Sequence, residues 1–154
     1  MSAFNAHNVR YLIVGGYAYA EYTEPRTTKD LDLFVQPDPR NAVATYKALA
    51  GYGAYLADVT VADFANPGLI FQIGVDPFRI DIICSISGLS FDQAYETSKP
   101  GLVDDEIPVR YISQENLIVN KLATGRPQDL LDVSKLRHAA ETKQQKPGKR
   151  KPSR

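Results

Sequence analysis

A single cysteine, Cys84, leaves this chain with almost no thiol chemistry. An intramolecular disulfide is excluded, and so are zinc sites built on cysteine clusters. A reducing, cytoplasmic setting is the expectation that follows. Cys84 closes an apolar run and reads as a small buried hydrophobe rather than a nucleophile. No stretch of about 18 or more apolar residues occurs, so no transmembrane helix is expected. The opening "MSAFNAHNVRYLIV" has no basic region followed by a long apolar one, so a secretory leader is not expected either. The two histidines, His7 and His138, stand at opposite ends of the sequence. No Gly-x-Ser-x-Gly elbow and no Walker-type phosphate loop is present.

What is present suits one domain. The chain has 154 residues, 44% of them hydrophobic and 23% charged, enough for one sizeable core. Net charge is zero but unevenly spread. Residues 143–154, "KQQKPGKRKPSR", hold six of the eighteen basic residues and no acid, leaving twelve basic against eighteen acidic residues in 1–142. The expected division is a single domain over 1–142 and a basic disordered tail over 143–154. Such a tail either contacts nucleic-acid phosphates or simply keeps the chain in solution.

Apolar runs and turn residues give an element order. Tyr11 to Val14 reads as a strand ending at Gly15-Gly16, and residues 17–22 as one or two helical turns. Residues 30–36 read as a strand, and 40–50 as a helix closed by "GYG". Residues 55–61 are ambiguous. Residues 69–75 and 78–84 read as a hairpin around "DP". A Ser-capped helix is expected over 90–98, a strand over 107–112, and two helices over 113–123 and 127–141, the last with proline in its first turn. The order β-α-β-α-β-β-α-β-α-α predicts an α/β (α+β) fold. It is a small mixed sheet with helices packed on it and a C-terminal helical pair.

Three carboxylates sit where strands should be apolar. In "KDLDLFV", Asp30 and Asp32 point to one face and Leu31 and Leu33 to the other. Like charges about 7 Å apart on one face repel, and either water or a divalent cation offsets that. In "FRIDIIC", Asp81 stands among isoleucines, which is costly unless it is paired or metal-bound. If the two strands are neighbours, the three acids converge and suit Mg2+ and phosphoryl or nucleotidyl transfer. The alternative for Asp81 is an ion pair with Arg79 or Arg110.

Gly15-Gly16 between a strand and a helix lets the backbone approach a phosphate, with helix N–H groups facing it. Arg26 and Lys29, in a polar connection, are candidates for phosphate oxygens, with solvated loop charges as the alternative. In "KLATGRPQDLLDV", Lys121 lies on an apolar helix face and either snorkels to water or reaches toward a triphosphate. Arg126 follows the turn glycine. Asp129 suits the start of the next helix by its charge alone.

The segment "VGGYAYAEYTEPRTTKDLDLFV" resembles the opening of the minimal nucleotidyltransferase fold of the DNA polymerase beta superfamily. Its Gly-Gly, Arg-x-Thr and Asp-Leu-Asp form is close to the branch that contains AbiE-type toxins and related bacterial domains. "FRIDII" is similar to that fold's third-carboxylate strand, and "ENLIVNKLATGRPQDLLDV" resembles its closing helices. The resemblance implies transfer of a nucleoside monophosphate from an NTP, with Mg2+, to an RNA or protein acceptor. A toxin-antitoxin setting with a cognate antitoxin protein comes with that branch. By position it makes Asp30, Asp32 and Asp81 the metal ligands and catalytic acids. Gly15, Gly16, Arg26, Thr28, Lys121, Arg126 and Asp129 become the nucleotide contacts. Gly16 stands where many members carry serine. The competing expectation is a nucleotide- or RNA-binding module of the same fold without catalysis, with Tyr17, Tyr19 and Tyr22 near the site for base stacking.

Overall fold

A computed structural model describes residues 1–28 and 30–145. Lys29 and residues 146–154, most of the expected basic tail, lie outside the described residues. The elements in chain order are α1 (Ser2–Ala6), β1 (Tyr11–Val14), α2 (Gly15–Tyr22), β2 (Asp30–Val35), α3 (Pro39–Tyr52), a 3-10 turn (Ala62–Ala65), β3 (Ile70–Ile73) and β4 (Arg79–Ile83). Then follow α4 (Phe91–Glu96), β5 (Lys99–Val103), β6 (Ile107–Tyr111), α5 (Gln114–Thr124) and α6 (Pro127–Gln145). The mixed sheet with helices on it and a closing helical pair is the architecture expected from the sequence.

Local chemistry sets most boundaries. Asp38 caps α3 by accepting from the Asn41 backbone N–H, Pro39 occupies the first turn, and Gly53 ends it in the left-handed region at φ 94°. Ser90 and Gln93 form a reciprocal capping box on α4, and Ser113 caps α5. Helix α6 continues through Gln145, three residues beyond the boundary read at 142.

The six strands lie in the order β3-β4-β2-β1-β6-β5. The outer pairs β3/β4 and β5/β6 are antiparallel, as is β1/β2, whereas β2/β4 and β1/β6 are parallel. Strand β1, central in that order, is buried along its whole length. Parallel pairing of β2 with β4 brings Leu33 opposite Ile82 and Leu31 opposite Ile80 on one face, and Asp32 opposite Asp81 and Asp30 opposite Arg79 on the other. Leu33, Ile80 and Ile82 pack toward Phe4 of α1 and Leu49 of α3. The opposite face is left to the charged residues and to α2, and burial of the apolar side fixes that register. The Tyr22 hydroxyl donates to the Ile112 carbonyl (2.6 Å), tying the end of α2 to the end of β6.

Candidate active site

Three of the four charged side chains on the β2/β4 face are carboxylates. Arg79 links two of them: Nη2 donates to Asp30 Oδ2 at 2.6 Å and to Asp81 Oδ2 at 3.2 Å, and Nε donates to Asp81 Oδ1 at 3.0 Å. The ion pair with Arg79, the alternative for Asp81, is thus present. Among the described residues, no three or more His, Cys, Asp or Glu side chains are gathered so as to hold a metal. The acids share one face, as expected, but a guanidinium stands between two of them.

Two observations still mark Asp30 and Asp32 as fit for a cation. Asp30 Oδ1 is buried with no hydrogen-bond partner among the described residues. Burial, then the charges of Asp81 and Asp30, push the Asp32 carboxyl up to about 6, against the pull of Arg79 and Arg126. A hard divalent ion held by two carboxylates and completed by phosphate oxygens meets both needs.

The Asp32 environment has a consequence for stability. Its native pKa of about 6 exceeds the usual 3.8, so the folded chain holds this proton more tightly than the unfolded one. Stability is therefore lost as pH rises from near 4 through 6, and the penalty is complete above that. Asp32→Asn should stabilise the metal-free chain at pH 7.5 by about 1–2 kcal/mol, discounted for partial exposure, which is a few degrees in Tm. At pH 4 the two melting curves should coincide.

The glycine pair lies against these acids. Gly15 has φ 65°, and a Cβ there would collide with Asp32 Oδ2; one on Gly16 would collide with the Thr28 methyl. Both glycines form the first turn of α2 rather than preceding it, so the backbone N–H groups of that helix start beside Asp32. Gly15→Ala should cost about 2 kcal/mol or more, since it adds a steric clash to a left-handed backbone. A Tm drop of several degrees checks it.

Gly16, Arg26, Thr28, Asp30, Asp32 and Gln128 line an open cleft of about 470 Å³. Larger depressions occur beside β5 and β6 (about 670 Å³) and between α2 and α6 (about 790 Å³), but neither is lined by more than one carboxylate. Chemistry, not volume, selects the smaller cleft.

Behind it lies a second charged cluster. Lys121 is 6% exposed and donates to Asp129 Oδ1 (3.2 Å) and Asp132 Oδ2 (2.8 Å). The lysine expected to snorkel or to reach a triphosphate does neither here: it is an internal counter-ion of the α5–α6 hairpin. Asp129 also accepts from Thr124 Oγ1 and from Arg126 Nε, both at 2.6 Å, so it is bound inward rather than toward the cleft. Arg126 keeps its side chain 75% exposed, and its charge reaches Asp32. Arg26 is held by Asp132 through two bonds (2.7 and 3.0 Å) and lies 4.1 Å over the Tyr19 ring centroid.

Asp132 escaped the sequence reading. It is fully buried and accepts from Arg26, Lys121 and Gln128. Tyr19 and Tyr22 are buried, Tyr19 beneath Arg26, so neither ring is free to stack on a base; Tyr17 alone of the three is exposed. Cys84 is buried, and burial pushes its thiol up to about 11, as expected of a core residue.

A family model described as "Nucleotidyl transferase of unknown function (DUF2204)" matches residues 1–151. No curated protein matches the chain. Among solved structures it is similar to the lincosamide antibiotic adenylyltransferase LnuA, lincomycin-bound, at 15% identity and a TM-score of 0.50, over 88% of this chain and 90% of that one. That similarity is one of fold.

Proposed function

This chain belongs to the DUF2204 family, nucleotidyl transferases of unknown function, and from that premise we propose that the cleft between α2 and β2 transfers a nucleoside monophosphate from an NTP to an acceptor hydroxyl. The acceptor oxygen attacks the α-phosphorus, pyrophosphate leaves, and the acceptor proton passes to a carboxylate, Asp81 in this reading. Gly15 and Gly16 present the α2 N–H groups to the triphosphate. Arg126 and Thr28 contact its oxygens, and Arg26 is a further contact held in place by Asp132. Lys121 and Asp129 act from behind, by fixing the hairpin that carries Arg126. Asp30 and Asp32, with Asp81 as a third ligand, would hold Mg2+, which would supply charge neutralisation at the phosphates. The observation that carries the reading is Asp32, a carboxylate pressed by two others, against a helix start that admits no Cβ.

The AbiE-type resemblance extends the proposal to RNA or protein as acceptor and to a toxin held by a cognate antitoxin, in the cytoplasm. A second reading, a binding module without catalysis, is favoured by one observation: Arg79 holds two of the three acids. The experiment is calorimetric titration of each NTP with and without Mg2+, followed by incubation of [α-32P]NTP with RNA and with cell protein. Metal-dependent binding with label transfer supports the enzyme. Binding without transfer or pyrophosphate release supports the module. Absence of any NTP binding overturns both.

A further inference from the structure

Arg79 has no place in the reaction described above, yet it is the most heavily engaged side chain on the carboxylate face. It lies on β4, two residues before Asp81 on the same face, and its register partner on β2 is Asp30. Its guanidinium takes three of the four oxygens of Asp30 and Asp81 at 2.6, 3.0 and 3.2 Å. The fourth, Asp30 Oδ1, is the buried oxygen that nothing among the described residues satisfies. Asp32, between them in the cluster, takes no hydrogen bond from Arg79. A guanidinium supplies planar donors to a carboxylate pair, whereas a divalent ion demands the same lone pairs at shorter range. The two cannot both be served by Asp30 Oδ2 and the Asp81 carboxylate.

We propose that Arg79 is the resident counter-ion of the carboxylate face, and that a divalent cation binds by displacing it. This rests on the reading of Asp30, Asp32 and Asp81 as the cation site. Arg79 is then a positioning residue. It neutralises Asp30 and Asp81 when no ion is present, and it sets the threshold concentration at which the ion enters. The energy of its ion pairs is subtracted from the ion's own binding energy, because the binding-competent state is the one in which the pairs are open. Each of these pairs is partly exposed, so the expected attenuation is about tenfold rather than several thousandfold.

The test is Mn2+ binding to the full, nucleotide-free chain, read by the electron paramagnetic resonance signal of the free ion. It is repeated with a non-hydrolysable NTP analogue present. Arg79→Gln should bind Mn2+ about tenfold more tightly than the unaltered chain, and Arg79→Lys, which keeps the charge, should stay within about threefold of it. Equal or weaker binding by Arg79→Gln overturns the proposal and leaves the nucleotidyl-transfer reading standing. If no variant binds Mn2+ under either condition, the cation reading of the acids falls, and this inference with it. A second measurement needs no variant. In a 15N spectrum of the unaltered chain, the Arg79 Nε–H signal should move and lose its protection from exchange as Mg2+ saturates. An unchanged signal at saturation overturns the displacement.

Discussion

Asp32→Asn should lower nucleotidyl transfer by at least about a thousandfold while leaving the chain folded. The variant keeps the size of the side chain, removes its charge and turns one of its two acceptor oxygens into an NH2 donor. That charge matters because Asp32 is squeezed between Asp81 across the strand pair and Asp30 two residues away. In the proposed reaction a cation there would relieve repulsion that the fold otherwise tolerates, and the relief would be lost with one carboxylate. Several kcal/mol of transition-state stabilisation disappear with the hard-oxygen ligand, and each 1.36 kcal/mol is tenfold in rate. Single-turnover transfer of labelled nucleotide is the measurement. Activity above about a tenth of the original would remove Asp32 from the chemistry. The gain in stability expected at pH 7.5 makes the pair of results diagnostic, since a merely misfolded variant would lose both.

The second large effect concerns Asp132. Asp132→Ala should destabilise the chain by about 3–5 kcal/mol, because it leaves Lys121 buried with only Asp129 as partner and cuts Arg26 loose. At this chain length that lowers Tm by about 10 °C or more, read by calorimetry. The double variant Asp132→Ala with Lys121→Met should recover part of the loss, because no buried charge is then left short of a partner. The same cluster sets an acid limit. Burial acts to raise Asp132 and Asp129, but bonds from Arg26, Lys121, Gln128, Thr124 and Arg126 outweigh it and hold both below the usual carboxylate value. Their contribution is present above pH 4 and is lost as pH falls through those lowered values. It therefore runs opposite to that of Asp32.

Much of this was legible in the residues, for identifiable reasons. Caps and punctuation placed α4, α5, the end of α3 and the β3/β4 hairpin, because Ser90, Ser113 and Gly53 act within one turn of themselves. Period-two alternation put Asp30 and Asp32 on one face. Strand β5 was not legible: "KPGLV" reads as loop, and it pairs only because an edge strand tolerates proline. Helix α1 is one short turn stabilised by packing of Phe4, not by propensity. In the site, adjacency of β2 and β4 was an open condition, since it depends on the crossover through α3. Asp132 was hidden among Leu130, Leu131 and Val133. The available signal was Lys121 itself: a lysine on an apolar helix face calls for a buried acid, and Asp129 and Asp132, three apart, share the facing stripe.

Gln128 belongs to both halves of the molecule: it lines the cleft and also donates to Asp132 at 3.0 Å. With Arg26, it makes the closing helical hairpin a lever whose short arm ends at the carboxylates. A displacement of α6 would therefore carry a cleft-lining side chain with it, so the position of that helix and the shape of the cleft are set together.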